Sequence, residues 1–283
     1  MKLPFEVDLS GKTIVVTGGS GVIGSELSRA LVACGAKVAI IGLDDDKGKS
    51  LINDINNTES KGEVEFFQGD VTSRQDMEKV KESVNEKYGK ISILINGAGG
   101  NHPKGTTEDE YYDNNNEESI QDFYGLDEES VGFVFDLNFK GTFIPTQVFS
   151  KDMVEQDFAS IINISSMNAF TPLTKIPAYS GAKAAISNFT QWLSVYFSRT
   201  NIRVNAIAPG FLLTDQNRDL LLNDDGSYSD RAEKIINSTP LGRFGEPEEL
   251  VGALLFLVNQ QASSFVNGVV LPIDGGFNAY SGV

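Results

Sequence analysis

The stretch TIVVTGGSGVIG, residues 13–24, decides the fold class of this chain. Its first five residues are mostly apolar and β-branched, which is typical of a buried strand, and a glycine cluster then opens a helix-length segment. Glycines there let backbone N–H groups approach a phosphate, which the helix N-terminus also favours. The spacing of Gly18, Gly21 and Gly24 is G-x-x-G-x-x-G instead of G-x-G-x-x-G. Its place between a strand and a helix predicts a dinucleotide site.

The same alternation of strand and helix continues along the chain. Short β-branched runs predict strands at 13–17, 38–41, 64–67, 92–96, 160–165, 203–207 and 269–273. Amphipathic stretches predict helices at about 22–34, 45–57, 73–88, 130–157, 177–199 and 246–258. Strands buried on both faces and separated by helices imply a parallel sheet with right-handed crossovers. We therefore expect an α/β chain in which residues 1–283 form a single domain, a Rossmann-type doubly wound parallel sheet of about seven strands.

Two long polar segments interrupt this alternation, at about 100–129 and 209–240. Each follows the carboxyl end of a predicted strand, where open α/β sheets bind their ligands. Loops of this length in a compact domain are usually functional or disordered. We expect an active-site insertion at 100–129 and a substrate loop at 209–240. For the low-complexity run DNNN at 113–116, a solvated tip and a functional role are both open.

Composition and charge exclude several classes of protein. A net charge of −16 opposes binding to nucleic acid or to an anionic membrane. No window has the roughly 18 apolar residues of a membrane helix, and the N-terminus lacks the pattern of a signal peptide. The single cysteine, Cys34, cannot form an intrachain disulfide. These features predict a cytoplasmic protein whose partner is a small molecule, and they suggest no metal site.

The tip of the second predicted strand bears on the choice of cofactor. An acidic residue there would bind the ribose hydroxyls of NAD, whereas an arginine would favour the 2′-phosphate of NADP. Positions 42 and 43 hold glycine and leucine, and Asp44 follows. Asp44 is either a ribose ligand or the N-cap of the next helix. The absence of a cation favours NAD without excluding NADP.

The most specific chemical pattern is YSGAK, residues 179–183. Tyr179 and Lys183 are four residues apart and therefore share a helix face. An ammonium beside a phenol favours the phenolate, which lowers a pKa of about 10 and makes a general acid and base usable near neutral pH. Ser166, at the end of the fifth predicted strand, would hydrogen-bond the substrate carbonyl. Asn138 would hold a water that links Lys183 to solvent.

In this order these residues resemble the short-chain dehydrogenase/reductase family, from about residue 8 to the C-terminus. The resemblance implies that Tyr179 transfers the proton, Lys183 binds the nicotinamide ribose and tunes Tyr179, Ser166 orients the substrate and Asn138 completes a proton relay. One departure is Gly97, where the family usually has the second asparagine of N-N-A-G. The cofactor-binding residues that the motifs and the resemblance imply are Gly18, Ser20, Val22, Ile23, Asp44, Asp70, Val71, Asn96, Ala98, Gly99, Tyr179, Lys183, Pro209, Leu212 and Thr214.

Residues near the chemistry suggest an anionic substrate. The 100–129 insertion contains the only histidine of the chain, and two lysines lie close to the predicted site in an otherwise acidic protein. The candidates for binding a polyhydroxylated carboxylate are Asn101, His102, Lys104, Asn168 and Lys175. Lys104 and Lys175 are equally compatible with solvated loop positions.

Four longer runs narrow the resemblance to one branch of the family. The runs are NGAGGNHPKGTT (96–107), NISSMNAFTPLTKIPAYS (163–180), NAIAPGFLLT (205–214) and DGGFNAYSGV (274–283). They are similar to the D-mannonate oxidoreductases (fructuronate reductases), which implies carbohydrate metabolism and reduction of a keto sugar acid. The alternatives are another sugar-acid or polyol reductase, such as a gluconate 5-dehydrogenase, and a non-catalytic dinucleotide-sensing protein. The intact catalytic set speaks against the last of these.

The predicted helix at 177–199 carries more apolar surface than its own sheet can cover. Its apolar and aromatic side chains include Phe189, Trp192, Leu193 and Tyr196. Surplus apolar surface usually marks an interface. The resemblance implies a homotetramer assembled through such helices.

Overall fold

Seven parallel strands form the centre of the fold, in the order β3-β2-β1-β4-β5-β6-β7. The computed structural model describes residues 6–58, 60–113, 121–214 and 217–282. The strands are β1 (Thr13–Thr17), β2 (Lys37–Gly42), β3 (Glu63–Gln68), β4 (Ile93–Asn96), β5 (Ala159–Ile164), β6 (Ile202–Pro209) and β7 (Val270–Ile273). The predicted Rossmann-type doubly wound parallel sheet is confirmed, because every neighbouring pair of strands is parallel.

The helices cover both faces of the sheet. They are α1 (Val22–Ala33), α2 (Asp45–Asn56), α3 (Arg74–Tyr88), α4 (Glu128–Phe135), α5 (Gly141–Met153), α6 (Pro177–Tyr196), α7 (Arg218–Leu221), α8 (Asp230–Asn237), α9 (Val251–Val258) and α10 (Gln260–Ser263). Side-chain caps explain several starting points. Ser73, for example, accepts a hydrogen bond from the Asp76 N–H and begins α3 at the next residue.

Alternating residues of the strands face two separate hydrophobic cores. Ile14 and Val16 of β1 point into one core with Leu27 of α1, whereas Val15 points into the other with Met77 of α3. All five of these side chains are at most 1% exposed. Burial on both faces accounts for the nearly continuous apolar runs in the sequence.

The order of the strands creates a crevice at one edge of the sheet. β1 lies between β2 and β4. The chain adds β2 and β3 on one side of β1 and then crosses to add β4 on the other side. Thr17, the last residue of β1, is in register with Ile41 on one side and Asn96 on the other. The connections that leave the carboxyl ends of β1 and β4 therefore run in opposite directions. The crevice between them is where such sheets usually bind their ligands.

The single helix predicted at 130–157 is divided in the structure. One turn of π-helix, Asp136–Lys140, separates α4 from α5, and Asn138 lies inside it. The Thr142 hydroxyl donates a 2.8 Å hydrogen bond to the Asn138 carbonyl. Single π turns within helices frequently occur at functional sites.

Both long polar segments fold locally in the described part of the chain. At 100–129 a short 3₁₀ helix spans Pro103–Gly105, and the Gln121 amide donates to the carbonyls of Pro103 and Thr106. Asn114, Asn115 and Asn116 of the run DNNN lie outside the described residues. The 209–240 segment contains α7 and α8 around a small core of its own. None of the described helices has the length and apolar character needed to cross a membrane.

Candidate active site

The turn between β1 and α1 is built from backbone in close contact. Gly18 has a φ of +64°, and a Cβ added to Gly24 would lie 2.2 Å from the Gly18 carbonyl oxygen. A side chain at either position would open the turn. Gly21 is the N-cap of α1 and supplies no side-chain acceptor. The first N–H groups of α1 therefore have no side-chain cap and point into the space beyond the turn. Such a helix N-terminus favours the binding of an anion.

A cleft of about 720 Å³ runs along this edge of the sheet, and we call it the main cleft. It extends from Asp44 at one end to Tyr179 and Lys183 at the other. The predicted cofactor-binding residues that line it are Gly18, Ser20, Val22, Ile23, Asp44, Asp70, Val71, Ala98, Gly99, Tyr179, Lys183, Pro209, Leu212 and Thr214. A cleft of this length suits an extended dinucleotide.

The side chain of Asn96 does not face the main cleft. It is 2% exposed and donates to the Asn163 side chain at 2.8 Å and to the Thr146 hydroxyl at 3.0 Å. Its role in the structure is therefore to join β4 to β5 and α5. The strand register explains this position, because Asn96 and Asn163 are paired across the sheet.

The two acidic residues at the far end of the cleft already have backbone partners. Asp44 accepts a 3.0 Å hydrogen bond from the Lys47 N–H and caps α2, so the N-cap alternative is correct. Asp44 also lines the cleft, which leaves a carboxylate oxygen available to a ribose. Asp70 accepts bonds from the N–H and hydroxyl of Thr72. These contacts hold both acids in fixed orientations.

Tyr179, Lys183 and Ser166 meet at the other end of the main cleft. The Lys183 Nζ lies 5.5 Å from the centroid of the Tyr179 ring and donates a 2.9 Å hydrogen bond to the Ile164 carbonyl. Ser166 follows β5 and hydrogen-bonds the Tyr179 phenol. A phenol, a hydroxyl and an amine in this arrangement can orient a carbonyl oxygen and exchange a proton with it.

The ionisation of this group differs from the sequence-based expectation. Burial raises the pKa of Tyr179 to about 12, and the hydrogen bond from Ser166 acts in the opposite direction. Burial also lowers the pKa of Lys183 to about 8. Burial therefore opposes the expected lowering of the Tyr179 pKa by Lys183, because the lysine is itself desolvated and donates its hydrogen bond to a backbone carbonyl.

Asn138 lies behind the cleft and does not line it. It is fully buried, and its Nδ2 donates to the carbonyls of Gly100 and Val134 at 2.7 and 2.8 Å. A Cβ added to Gly99 would lie 2.6 Å from the Asn138 Oδ1 and 3.1 Å from the Lys183 Nζ. The amide oxygen and the ammonium thus flank the same glycine, where only a residue without a side chain fits.

The predicted substrate residues do not converge. Asn168 is buried and its N–H donates to the Ser166 Oγ, while Asn101 donates to the Thr106 hydroxyl. None of the predicted substrate residues lines the main cleft, and only Lys175 lines a second cavity beside it. The prediction of a single convergent cluster is therefore not supported by the geometry.

His102 and Lys104 lie against α4. The His102 ring packs edge-on against Phe133 at 5.6 Å. Asp127, the N-cap of α4, has a pKa lowered first by hydrogen bonds from Ser130. Lys104 and His102 lower it further by Coulomb attraction. The 3₁₀ turn at Pro103–Gly105 thus directs the two candidates toward a helix N-terminus instead of toward the cleft.

The second cavity, of about 360 Å³, includes residues that the sequence did not single out. Phe211 lines both this cavity and the main cleft. Arg231 and Lys234, on one face of α8, also line it. We call it the side cavity. Only the general expectation that 209–240 is a substrate loop pointed to this part of the chain.

Comparison with known proteins establishes the family. A family model described as short chain dehydrogenase matches residues 12–225. The chain belongs to the short-chain dehydrogenase family. This short-chain dehydrogenase is 51% identical over 283 residues to an uncharacterized oxidoreductase of Haemophilus influenzae, covering 100% of the chain and 99% of the relative. It is 48% identical over 281 residues to the uncharacterized oxidoreductase UxuB of Bacillus subtilis, covering 99% of the chain and 100% of the relative.

A solved structure is also closely similar to this short-chain dehydrogenase. It is a candidate D-mannonate oxidoreductase from Haemophilus influenza with bound NAD, and it is 50% identical. The TM-score is 0.95 and the match covers 100% of both chains. The family and these relatives make the protein an oxidoreductase.

Proposed function

We propose that this short-chain dehydrogenase uses NAD to interconvert a keto sugar acid and its hydroxy acid, D-fructuronate and D-mannonate. The observation that carries the proposal is the meeting of Tyr179, Lys183 and Ser166 at one end of a cleft whose other end is Asp44. The solved structure with bound NAD, at 50% identity, supports both the cofactor and the substrate.

The residues present fit a dinucleotide. The close contact between Gly18 and Gly24 leaves the N-terminus of α1 open to a pyrophosphate. Asp44 offers an oxygen to the adenosine ribose, and the exposed Leu43 beside it supplies no cation for a 2′-phosphate. The residues at positions 43 and 44 therefore favour NAD.

The chain's own residues supply the proton chemistry. A bound nicotinamide would donate or accept the hydride. The Ser166 hydroxyl donates a hydrogen bond to the substrate oxygen and holds it toward the phenol. In the reduction, Tyr179 gives its proton to that oxygen, and in the oxidation its phenolate removes the proton. The Lys183 ammonium stabilises the phenolate, since the two groups already lie together on one face of α6.

Asn138 is proposed to keep the proton route open behind Tyr179. Its amide is held by Gly100, whose carbonyl accepts from the Asn138 Nδ2 and whose N–H donates to the Oδ1 at 3.3 Å. The Oδ1 borders Gly99 on the side where Lys183 lies. A water held by this arrangement would connect the lysine with solvent.

Exposed surface and charge support a proposal for the assembly and the location. We propose a cytoplasmic homotetramer that binds no nucleic acid, acts on a small anionic molecule and packs through the face of α6 that exposes Trp192, Val195 and Tyr196. The net charge of −16 keeps nucleic acid and anionic lipid away.

An assay panel tests the proposed activity directly. Purified protein is given hexonates, hexuronates and keto sugar acids with NADH, NAD, NADPH and NADP separately, and nicotinamide absorbance is followed. We expect the highest kcat/KM for D-fructuronate with NADH and for D-mannonate with NAD. Higher kcat/KM values for uncharged polyols, or for NADPH, would contradict the proposal.

A further inference from the structure

The side cavity adjoins the dinucleotide cleft, because Phe211 lines both. Its walls come from the 100–129 insertion, from residues 173–176 directly before α6, and from α8. Phe211 separates it from the main cleft, and Phe277 packs edge-on against Phe211 with ring centroids 5.4 Å apart. A substrate whose reacting carbon lies at Tyr179 would reach past Phe211 into this space.

The side cavity is locally cationic in an acidic protein. Lys175, Arg231 and Lys234 line it, together with the carboxylates of Glu110 and Asp230. The Lys234 Nζ lies 3.0 Å from the Glu110 Oε1, so these two charges are paired. The pKa of Glu110 is lowered mainly by Lys234 and further by Lys175.

Two of these cations are not used in holding the fold together. Within the described parts of the chain, the Arg231 guanidinium has no ion pair or hydrogen bond, and the Lys175 ammonium makes no hydrogen bond. Arg231 stands one residue before Ala232, which is fully buried, so the backbone beneath the arginine is fixed by packing. A free arginine at the rim of a cavity is well suited to a bidentate carboxylate.

The backbone at Lys175 is held in an unusual conformation. Its φ is +73°, and it is the one non-glycine residue with positive φ among the described residues. The Thr107 N–H donates a 2.8 Å hydrogen bond to the Lys175 carbonyl and ties this bend to the insertion. A lysine in the left-handed region costs free energy, and such strain concentrates at functional sites. The bend places Lys175 in the lining of the side cavity, four residues before Tyr179.

We propose that Lys175 and Arg231 bind the substrate carboxylate, which in D-fructuronate lies toward the end of the carbon chain remote from the keto carbon. This inference rests on the proposed function. In the main cleft the two lysines are Lys183, which is bonded to Ile164, and Lys47, which lies beside Asp44. Among the described residues, a carboxylate next to the reacting carbonyl would therefore compete with Tyr179 for Lys183, whereas a remote carboxylate reaches the two cations of the side cavity.

Charge-neutral variants test the two anchors. Lys175→Asn removes the ammonium, and asparagine tolerates the left-handed backbone. Arg231→Gln removes the guanidinium on an exposed helix face. We expect each variant to raise the ratio of KM for the keto sugar acid to KM for an uncharged ketose of equal length by about tenfold. The double variant should raise it more than either single variant, without the two effects multiplying, because both residues bind the same carboxylate. Turnover of the uncharged ketose also reports whether each variant is folded.

Two controls carry the same loss of charge. Lys61→Asn and Arg199→Gln alter exposed residues that line neither cavity. We expect them to leave the KM ratio within about twofold of the original, since the screened field of a distant charge is small. A tenfold rise in the controls would mean that net charge alone sets the affinity, which would overturn the assignment.

Regioisomers test where the carboxylate lies. The unmodified protein is assayed with two kinds of keto hexonate. One kind has the keto group at the second carbon, and the other has it far from the carboxylate. We expect kcat/KM to be at least about tenfold higher for the remote isomer. The opposite preference would overturn the proposed substrate together with the inference. If no sugar acid is turned over, the proposed function fails; if sugar acids are turned over but neither variant moves the KM ratio, only the anchors fail.

Discussion

The Lys183 Nζ lies 5.5 Å from the centroid of the Tyr179 ring, one turn away on α6. Burial shifts their pKa values in opposite directions, raising that of the phenol to about 12 and lowering that of the amine to about 8. Both shifts favour the neutral forms. Tyr179 is therefore a protonated phenol at neutral pH, ready to donate in reduction, and a positive charge beside it would favour the phenolate that oxidation needs.

Tyr179→Phe should lower kcat by about 10²- to 10⁴-fold, because it removes the hydroxyl group that transfers the proton and keeps the aromatic ring. Steady-state turnover of D-fructuronate with NADH measures the loss. The dissociation constant of NADH, from fluorescence, serves as the control and should change by less than about threefold. Near-normal turnover would show that another group transfers the proton.

Lys183→Met should abolish activity and stabilise the protein without cofactor at pH 7. The folded pKa of about 8 lies below the ordinary 10.5, so below pH 8 the folded state bears the full cost of a buried charge. Removing the charge should raise the free energy of unfolding by about 3 kcal/mol. Losing the hydrogen bond to Ile164 should lower it by about 1 kcal/mol, so the net stabilisation is roughly 2 kcal/mol.

The pH dependence of the same variant gives a second measurement. Between pH 8 and 10.5 the unfolded protein binds more protons at Lys183 than the folded protein does, so the stability of the original protein rises and the difference shrinks. Urea unfolding at pH 7 and pH 10 measures both values. Lys61→Met, at an exposed position, should show neither effect. A destabilised Lys183→Met protein at pH 7 would contradict the desolvation.

Leu43→Arg should shift the cofactor preference toward NADPH. Leu43 is 66% exposed and lines the cleft, so an arginine there has room to reach a 2′-phosphate. We expect the ratio of kcat/KM for NADPH to that for NADH to rise about tenfold. Adding Asp44→Asn keeps the cap of α2, removes a repelling charge and should increase the ratio further. If the original protein prefers NADPH, Lys47 supplies the cation and the interpretation of this strand tip is wrong.

The exposed aromatic face of α6 should be an interface between subunits. Trp192, Val195 and Tyr196 are 56%, 72% and 66% exposed, and the Trp192 and Tyr196 rings stack 5.0 Å apart. We expect sedimentation velocity to give a tetramer at micromolar concentration. Trp192→Glu with Tyr196→Glu should give smaller species. A monomer for the original protein would refute the interface.

The fold could be predicted because the patterns that encode it are short. A run of five buried residues such as Thr13–Thr17 identifies a strand, and the i, i+4 relation of Tyr179 and Lys183 needs only one helix. The π turn around Asn138 could not be predicted, because it shifts the helical periodicity by a single residue, which a short amphipathic pattern does not resolve. Arg231 reaches the side cavity only because the 209–240 segment folds back over Phe211, a tertiary contact that leaves no local signal.

The bond from Thr107 to Lys175 and the ion pair between Glu110 and Lys234 have a consequence for engineering. They join two of the segments that line the side cavity to the 100–129 insertion, and all of these segments lie outside the seven-stranded sheet. A combinatorial library limited to positions 106, 110, 173–175, 230, 231, 234 and 238 would therefore vary the lining of the side cavity and leave Ser166, Tyr179 and Lys183 unchanged. The ion pair makes positions 110 and 234 interdependent, so such a library should vary them as a pair.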